Sequence, residues 1–159
     1  MTEPEEIIEA KLVTLLDAAE PGFDVVGALE PSPEGMEKLA ALSHIGVVAD
    51  IASQDLDWTG PGNPYTYTVR VAVRVAFADD KTGALFRNAC RAVRAALHAL
   101  TGDGCAALTG DGFNCDAFVF NATATAIESL GDGEGMNKTY TATVYGRYKP
   151  PTETEAQNG

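Results

Sequence analysis

The chain has 159 residues, 45% of them hydrophobic, and a formal charge of −12 from 23 acids against 11 lysines and arginines. That length suits one domain with one sizeable core, and so acidic a chain makes a poor free-standing nucleic-acid binder, because neutralising phosphates needs a basic surface. No run approaches the roughly 18 apolar residues of a membrane helix, and the acidic start MTEPEEIIEA, where a secretory signal would be basic, predicts an intracellular protein.

Thr2-Glu3-Pro4-Glu5 fits a helix start, with Thr2 as cap, Glu5 closing a capping box and Pro4 in the first turn. Ile8, Leu12, Leu15, Leu16 and Ala19 then give an amphipathic stripe that Pro21-Gly22 ends. Phe23 to Leu29 reads as a short strand. Ser32-Pro33-Glu34 opens a short helix through Leu42, weakened by Gly35. Ile45 to Ile51 is a second strand. Asp55 to Pro64, DLDWTGPGNP, is a loop by its prolines, glycines, Asn and Asp. Its Trp58 is either a lid over the core edge or an exposed partner contact.

Tyr65 to Ala78, YTYTVRVAVRVAFA, alternates strictly. Tyr65, Tyr67, Val69, Val71, Val73, Val75 and Phe77 share one face, and Thr, Ala and two Arg take the other. This predicts a long central strand with its Val/Phe/Tyr face under helices, in an antiparallel sheet covered on one side only. Asp79 to Thr82 turns the chain into a second helix, Leu85–Leu100. Phe86, Cys90, Val93, Leu97 and Leu100 form its core stripe. Arg87, Arg91, Arg94 and His98 form a second stripe about 100° round, and Ala84, Asn88, Ala92, Ala95 and Ala99 its back. That side is either a solvated helix face or a flat surface for a neighbouring subunit.

Gly102 suits the end of that helix. TGDG occurs at Thr101–Gly104 and again at Thr109–Gly112, around the apolar piece Cys105–Leu108, and both read as turns between strands. Ala117–Leu130 alternates again, Phe118, Phe120, Ala122, Ala124 and Ala126 against Val119, Asn121, Thr123, Thr125 and Ile127. Lys138–Lys149 alternates likewise, so the two form a long hairpin around Gly131–Gly135. After Pro150-Pro151 the tail has almost no apolar surface to offset its ordering entropy and is expected to be disordered. The predicted division is one α+β domain over 1–149 and a tail over 150–159. The fold class is a mainly antiparallel sheet with two amphipathic helices packed on one face and a long C-terminal β-hairpin.

The chemistry-bearing residue types form no site. The Asp-Gly loops lack the spaced oxygen ligands and closing glutamate of a calcium loop. GDGEGMNKT at Gly131–Thr139 lacks the Gly-Lys pair and following helix of a phosphate loop. Cys90, Cys105 and Cys115 have no metal-ligand spacing; Cys90 reads as a buried thiol, and Cys105 and Cys115 would pair across a hairpin only outside a reducing compartment. His44 and His98 stand apart from any patterned Cys or acid, and no nucleophile elbow appears. The expectation is therefore no enzyme, no cofactor and no metal. Charge, in contrast, is patterned: five of the six arginines, Arg70, Arg74, Arg87, Arg91 and Arg94, lie between positions 70 and 94. A molecule with separate acidic and basic faces attracts copies of itself.

The order of elements, in an acidic chain of this length without active-site chemistry, resembles the tail terminator (tail completion) proteins of long-tailed bacteriophages. The resemblance runs from Pro4 to Tyr148 and is carried by Tyr65–Ala78, Leu85–Leu100 and Thr139–Tyr148; the segment 101–116 is longer than the family pattern. It implies an α+β virion protein, assembled in the host cytoplasm, that forms a hexameric homo-oligomeric ring. Such a ring caps the tail tube, joins it to the head-completion or connector protein, and meets DNA only as it passes through the lumen; no membrane and no catalytic residue is involved. On that reading Arg87, Arg91, Arg94, Ala92, Ala95 and Trp58 lie at a subunit interface or the lumen, and Asp55, Asp57, Glu128 or Asp132 of the next copy would meet the arginines. The alternative is a small acidic ligand-binding or regulatory α+β domain with the Trp58 loop as its lid.

Overall fold

A computed structural model describes residues 3–20, 22–27, 43–54, 63–130 and 133–149. The elements in chain order are α1 (Pro4–Ala19), β1 (Val25–Gly27), β2 (His44–Gln54), β3 (Asn63–Ala76), α2 (Ala84–His98), β4 (Phe113–Leu130) and β5 (Gly133–Tyr148). The strands form one sheet in the order β1-β2-β3-β5-β4. Every pairing is antiparallel except β1 with β2. The class is α+β, with both helices against one face and a C-terminal hairpin, as the alternating runs and amphipathic stripes predict.

The long alternating run is the middle strand. Tyr67, Val69, Val71, Val73 and Val75 of β3 are all within 1% of full burial. They face Ile45, Val47 and Ala49 of β2 on one side and Tyr140, Ala142 and Val144 of β5 on the other. Ile7, Ile8, Leu12 and Leu16 of α1 and Ala89, Cys90, Val93 and Leu97 of α2 close the same core from above. Burial of these side chains, at roughly 1.5–3 kcal/mol each, is the main source of stability.

Several boundaries shift for visible reasons. The described cap of α1 is Glu3, whose N–H donates to Glu6 Oε2 at 3.2 Å, one position later than the predicted Thr2 and Glu5 pair. Pro4 is the first helical residue, where its missing N–H costs nothing. Ile7 joins the buried stripe and Ala19 is exposed. β3 begins at Asn63, taking two residues from the predicted loop, and stops at Ala76, so Phe77 leaves the core face and stands 43% exposed in a 3₁₀ turn, Phe77–Asp79. Ser43 Oγ fixes that departure by accepting from the Ala76 N–H at 3.1 Å and donating to Asp79 Oδ2. Asp80 then accepts from the N–H groups of Leu85 and Phe86, at 3.1 and 2.9 Å, filling the donors that a helix start leaves open.

Gly102 has the positive φ of +63° expected past a helix end. The first TGDG is not a turn between strands, however: Gly102–Leu108 is a 3₁₀ segment that buries Cys105 and Leu108 under the sheet. The second is a strand-pairing turn. Asp111 and Gly112 both have positive φ, and Gly110 and Phe113 exchange two backbone hydrogen bonds across them, as an Asp-Gly pair favours. Leu130 pairs directly with Gly133, so the hairpin tip is two residues long, and the strands run through most of the predicted Gly131–Gly135 loop. The predicted helix at 32–42, Trp58 with 55–62, and the tail from 150 lie outside the described residues.

Candidate functional site: the basic flank of α2 and the open hairpin

The hairpin carries two irregularities that decide what its far half presents. The register slips between Cys115 and Ala117 and again between Phe120 and Ala122. Past the second slip the alternation inverts. Phe118 and Phe120 lie opposite Val144 and Ala142 on the helix side of the sheet, but Ala122, Ala124 and Ala126 lie opposite Thr141, Thr139 and Asn137, on the other face. The predicted grouping of Phe118 and Phe120 with those alanines is therefore wrong beyond Asn121, because a bulged residue breaks the period of two. Thr123, Thr125 and Ile127 take the helix side instead, beside Tyr140, Lys138 and Met136.

No buried position occurs in β4 from 121 to 127, and Ile127 is 64% exposed. α2 packs on β3 and holds β5 through Tyr140, whose hydroxyl donates to the Cys90 carbonyl at 3.1 Å. It thereby leaves a trough between its own flank and the far half of the hairpin. One part, about 400 Å³, is walled by Arg94 and His98 and floored by Phe120, Thr123, Lys138 and Tyr140. A second, about 470 Å³, lies towards the start of α2 among Val75, Phe77, Phe86, Arg87 and Met136.

The flank of α2 follows the sequence expectation. Arg87, Arg91, Arg94, Ala95 and His98 are exposed and Ala92 is half-buried, while Cys90, Val93 and Leu97 are buried. The structure adds groups from the hairpin. Lys138 Nζ sits 5.6 Å from the centre of the Tyr140 ring, and the rings of His98 and Phe120 lie 6.1 Å apart. The trough thus gathers Arg87, Arg94, His98 and Lys138 over an aromatic floor. Lys138 and Phe120 were not expected here; Lys138 shares its face with Tyr140 in the alternation, but the path of α2 over it is a tertiary fact. Of the acids expected opposite the arginines, Glu128 accepts from Asn137 Nδ2 at 2.9 Å and lies 3.9 Å from Arg74, within its own chain; Asp55, Asp57 and Asp132 lie outside the described residues.

Several titratable groups are buried beneath the helices, in the sheet and in α2 itself. Burial pushes Tyr67 and Tyr140 well above the ordinary phenol range; the acids Glu3 and Glu5 add to it at Tyr67, and Arg94 opposes it at Tyr140. Cys115 is pushed up to about 12 by burial and by its neighbour Cys105, and burial raises Cys90 as well. All three cysteines are buried free thiols. Cys90 and Cys115, held protonated in this way, are poor nucleophiles and poor metal ligands, and no group of three or more His, Cys, Asp or Glu with metal-site geometry occurs among the described residues.

No protein-family model and no curated protein matches the sequence. A solved structure titled "Virion of native gene transfer agent (GTA) particle" contains a chain similar in shape, with a TM-score of 0.48 and 20% identity, over 87% of this chain and 94% of that one. No helix among the described residues is long and apolar enough to cross a membrane.

Proposed function

We propose that this chain is a structural protein of a tailed, phage-like virion: a subunit that closes with copies of itself into a hexameric ring, caps the tail tube and joins it to the head connector. The observation that carries the reading is the open side of α2. This helix buries one stripe in its own core and leaves an Arg ridge and small residues exposed beside an uncovered strip of sheet, in a chain whose net charge is −12. A surface of that kind meets a differently shaped, acidic surface on a neighbour, and such unlike-face contacts close into rings when the rotation permits. The order of elements it shares with tail terminator proteins supports the same reading. DNA would meet the ring only by passing through it, and catalysis forms no part of the role.

The test is the mass of the purified full chain by light scattering, followed by electron microscopy of its mixture with tails that lack a terminal ring. A particle of about six times the monomer mass that seats on tail ends is expected. A monomer at every concentration that also ignores tails would end the proposal. It would favour the second reading, a small acidic ligand-binding domain, for which the basic groove at Arg94, His98 and Lys138 is the supporting feature.

A further inference from the structure

We infer that the trough between α2 and the far half of the hairpin is the seat for the outer face of α1 from the next copy, an assignment that rests on the ring reading above. The exposed side of α1 is a helical stripe of acids and small residues. Glu3, Glu6, Ala10, Thr14 and Asp17 follow one another at three- and four-residue steps, and each is exposed or half-buried. Lys11, on the edge of this stripe, is turned towards Gly110 of its own chain. The trough presents the opposite charge through Arg87, Arg94 and Lys138. Asp80, an acid in its wall, is already occupied by the N–H groups of Leu85 and Phe86.

Size agrees with charge. α1 has 16 residues, a rod of about 24 Å at 1.5 Å per residue. The strip from Phe120 to Ile127, whose bulge at Asn121 adds no ladder step, spans about 20 Å at 3.3 Å per residue. The alanine and threonine between the acids let a helix backbone approach the Thr123, Thr125 and Ile127 surface closely. Burial of Ile127 and of the half-covered Phe120 supplies an apolar driving term. The ion pairs fix register, since exposed pairs contribute only about 0–1 kcal/mol each. In its own chain the inner side of α1 is buried through Ile8, Leu12 and Leu16, against β1 and β2. Its outer side therefore reaches a hairpin only on another copy, and because the two faces are unlike the contact can repeat from copy to copy around a ring.

Charge exchange tests this in the full chain. The pair Arg94→Glu with Lys138→Glu, and separately Thr14→Lys with Asp17→Lys, should each raise the concentration needed for assembly at least tenfold, with thermal melts close to the parent. Combining all four substitutions should recover most of the loss. A second measurement covers the case of a variant that misfolds: Ala10→Cys with Thr125→Cys, oxidised at the assembling concentration, should give a ladder of disulfide-linked multimers on denaturing gels, whereas each single variant should not. If the parent forms rings but the α1 variant assembles equally well, or the combined variant fails to recover, or no ladder forms, this seat is wrong while the ring stands. If the parent forms no ring alone or on tails, the ring reading fails and this seat with it.

Discussion

The two halves of the C-terminal hairpin are made of the same pair of strands in the same ladder, yet they live in different surroundings. Near the chain ends of β4 and β5, Phe113, Cys115, Phe118, Val144 and Tyr148 are buried under α1, α2 and the 3₁₀ segment. Towards the tip, 121–127 is exposed on both faces. Backbone pairing is continuous through both halves, so the ladder alone does not decide where a sheet is stable. The helices do, and their footprint ends before the strands do. A half-naked hairpin of this length is marginal by itself in water; here it is an extension of a sheet anchored elsewhere, which suits a surface that meets a partner.

The sharpest way to break the comparison is to shorten one apolar side chain in each half. Phe118→Ala opens a cavity under the helices and should cost about 3–5 kcal/mol, while Ile127→Ala should stay within about 0.5 kcal/mol in the monomer. Urea unfolding of the two variants measures both. Equal losses would mean that the tip is packed as tightly as the base.

Alkali should act on the covered half first. Tyr67, Cys115 and Tyr140 are all held above their ordinary values by burial. In the unfolded chain the thiol ionises near 9, so above that pH the unfolded state binds fewer protons than the native one and stability falls. The contribution of Cys115 is full below about pH 9 and is lost as pH rises through about 12. The melting temperature should therefore decline steadily across that window, and less steeply in Cys115→Ala. An unchanged slope in that variant would assign the alkaline loss to the phenols and Cys90.

The smallest effect belongs to ion pairs. In the covered half Arg147 grips Asp116 with two bonds, Nε to Oδ2 at 3.0 Å and Nη2 to Oδ1 at 2.9 Å. In the far half Arg74 lies a loose 3.9 Å from Glu128. Arg147→Ala should lower the melting temperature slightly in low salt and not at all in high salt. Glu128→Gln should change it even less; a larger loss from Glu128→Gln would make the far half the better-tied one.

Much of this fold was legible because its strands alternate and its helices carry one apolar stripe each. The face of β3 from Tyr67 to Val75 and the core stripe of α2 from Cys90 to Leu97 needed only the two periods. What the pattern did not carry was interruption. Phe77 continues the alternation by identity, but Ser43 and the 3₁₀ turn carry it out of the sheet. Ala122 to Ala126 keep the beat of Phe118 and Phe120 in the sequence, yet sit on the opposite face, since Asn121 adds a residue without adding a ladder step. The candidate site was half legible. Arg87, Arg91 and Arg94 followed from helical spacing, whereas Lys138, Phe120 and Ile127 joined them only through the crossing of α2 over the hairpin.

The bulge at Asn121 also constrains how this strand can change length over generations. Deleting that one residue would remove the bulge, restore an unbroken alternation and leave Phe120, Thr123, Thr125 and Ile127 on the helix side, whereas a one-residue deletion further towards the tip that left the bulge in place would turn the side chains beyond it over and out of the trough. A two-residue change would only shorten or lengthen the finger. Lineages of this protein should therefore vary the reach of the hairpin in steps of two, and a step of one should coincide with loss or gain of a bulge in the same strand.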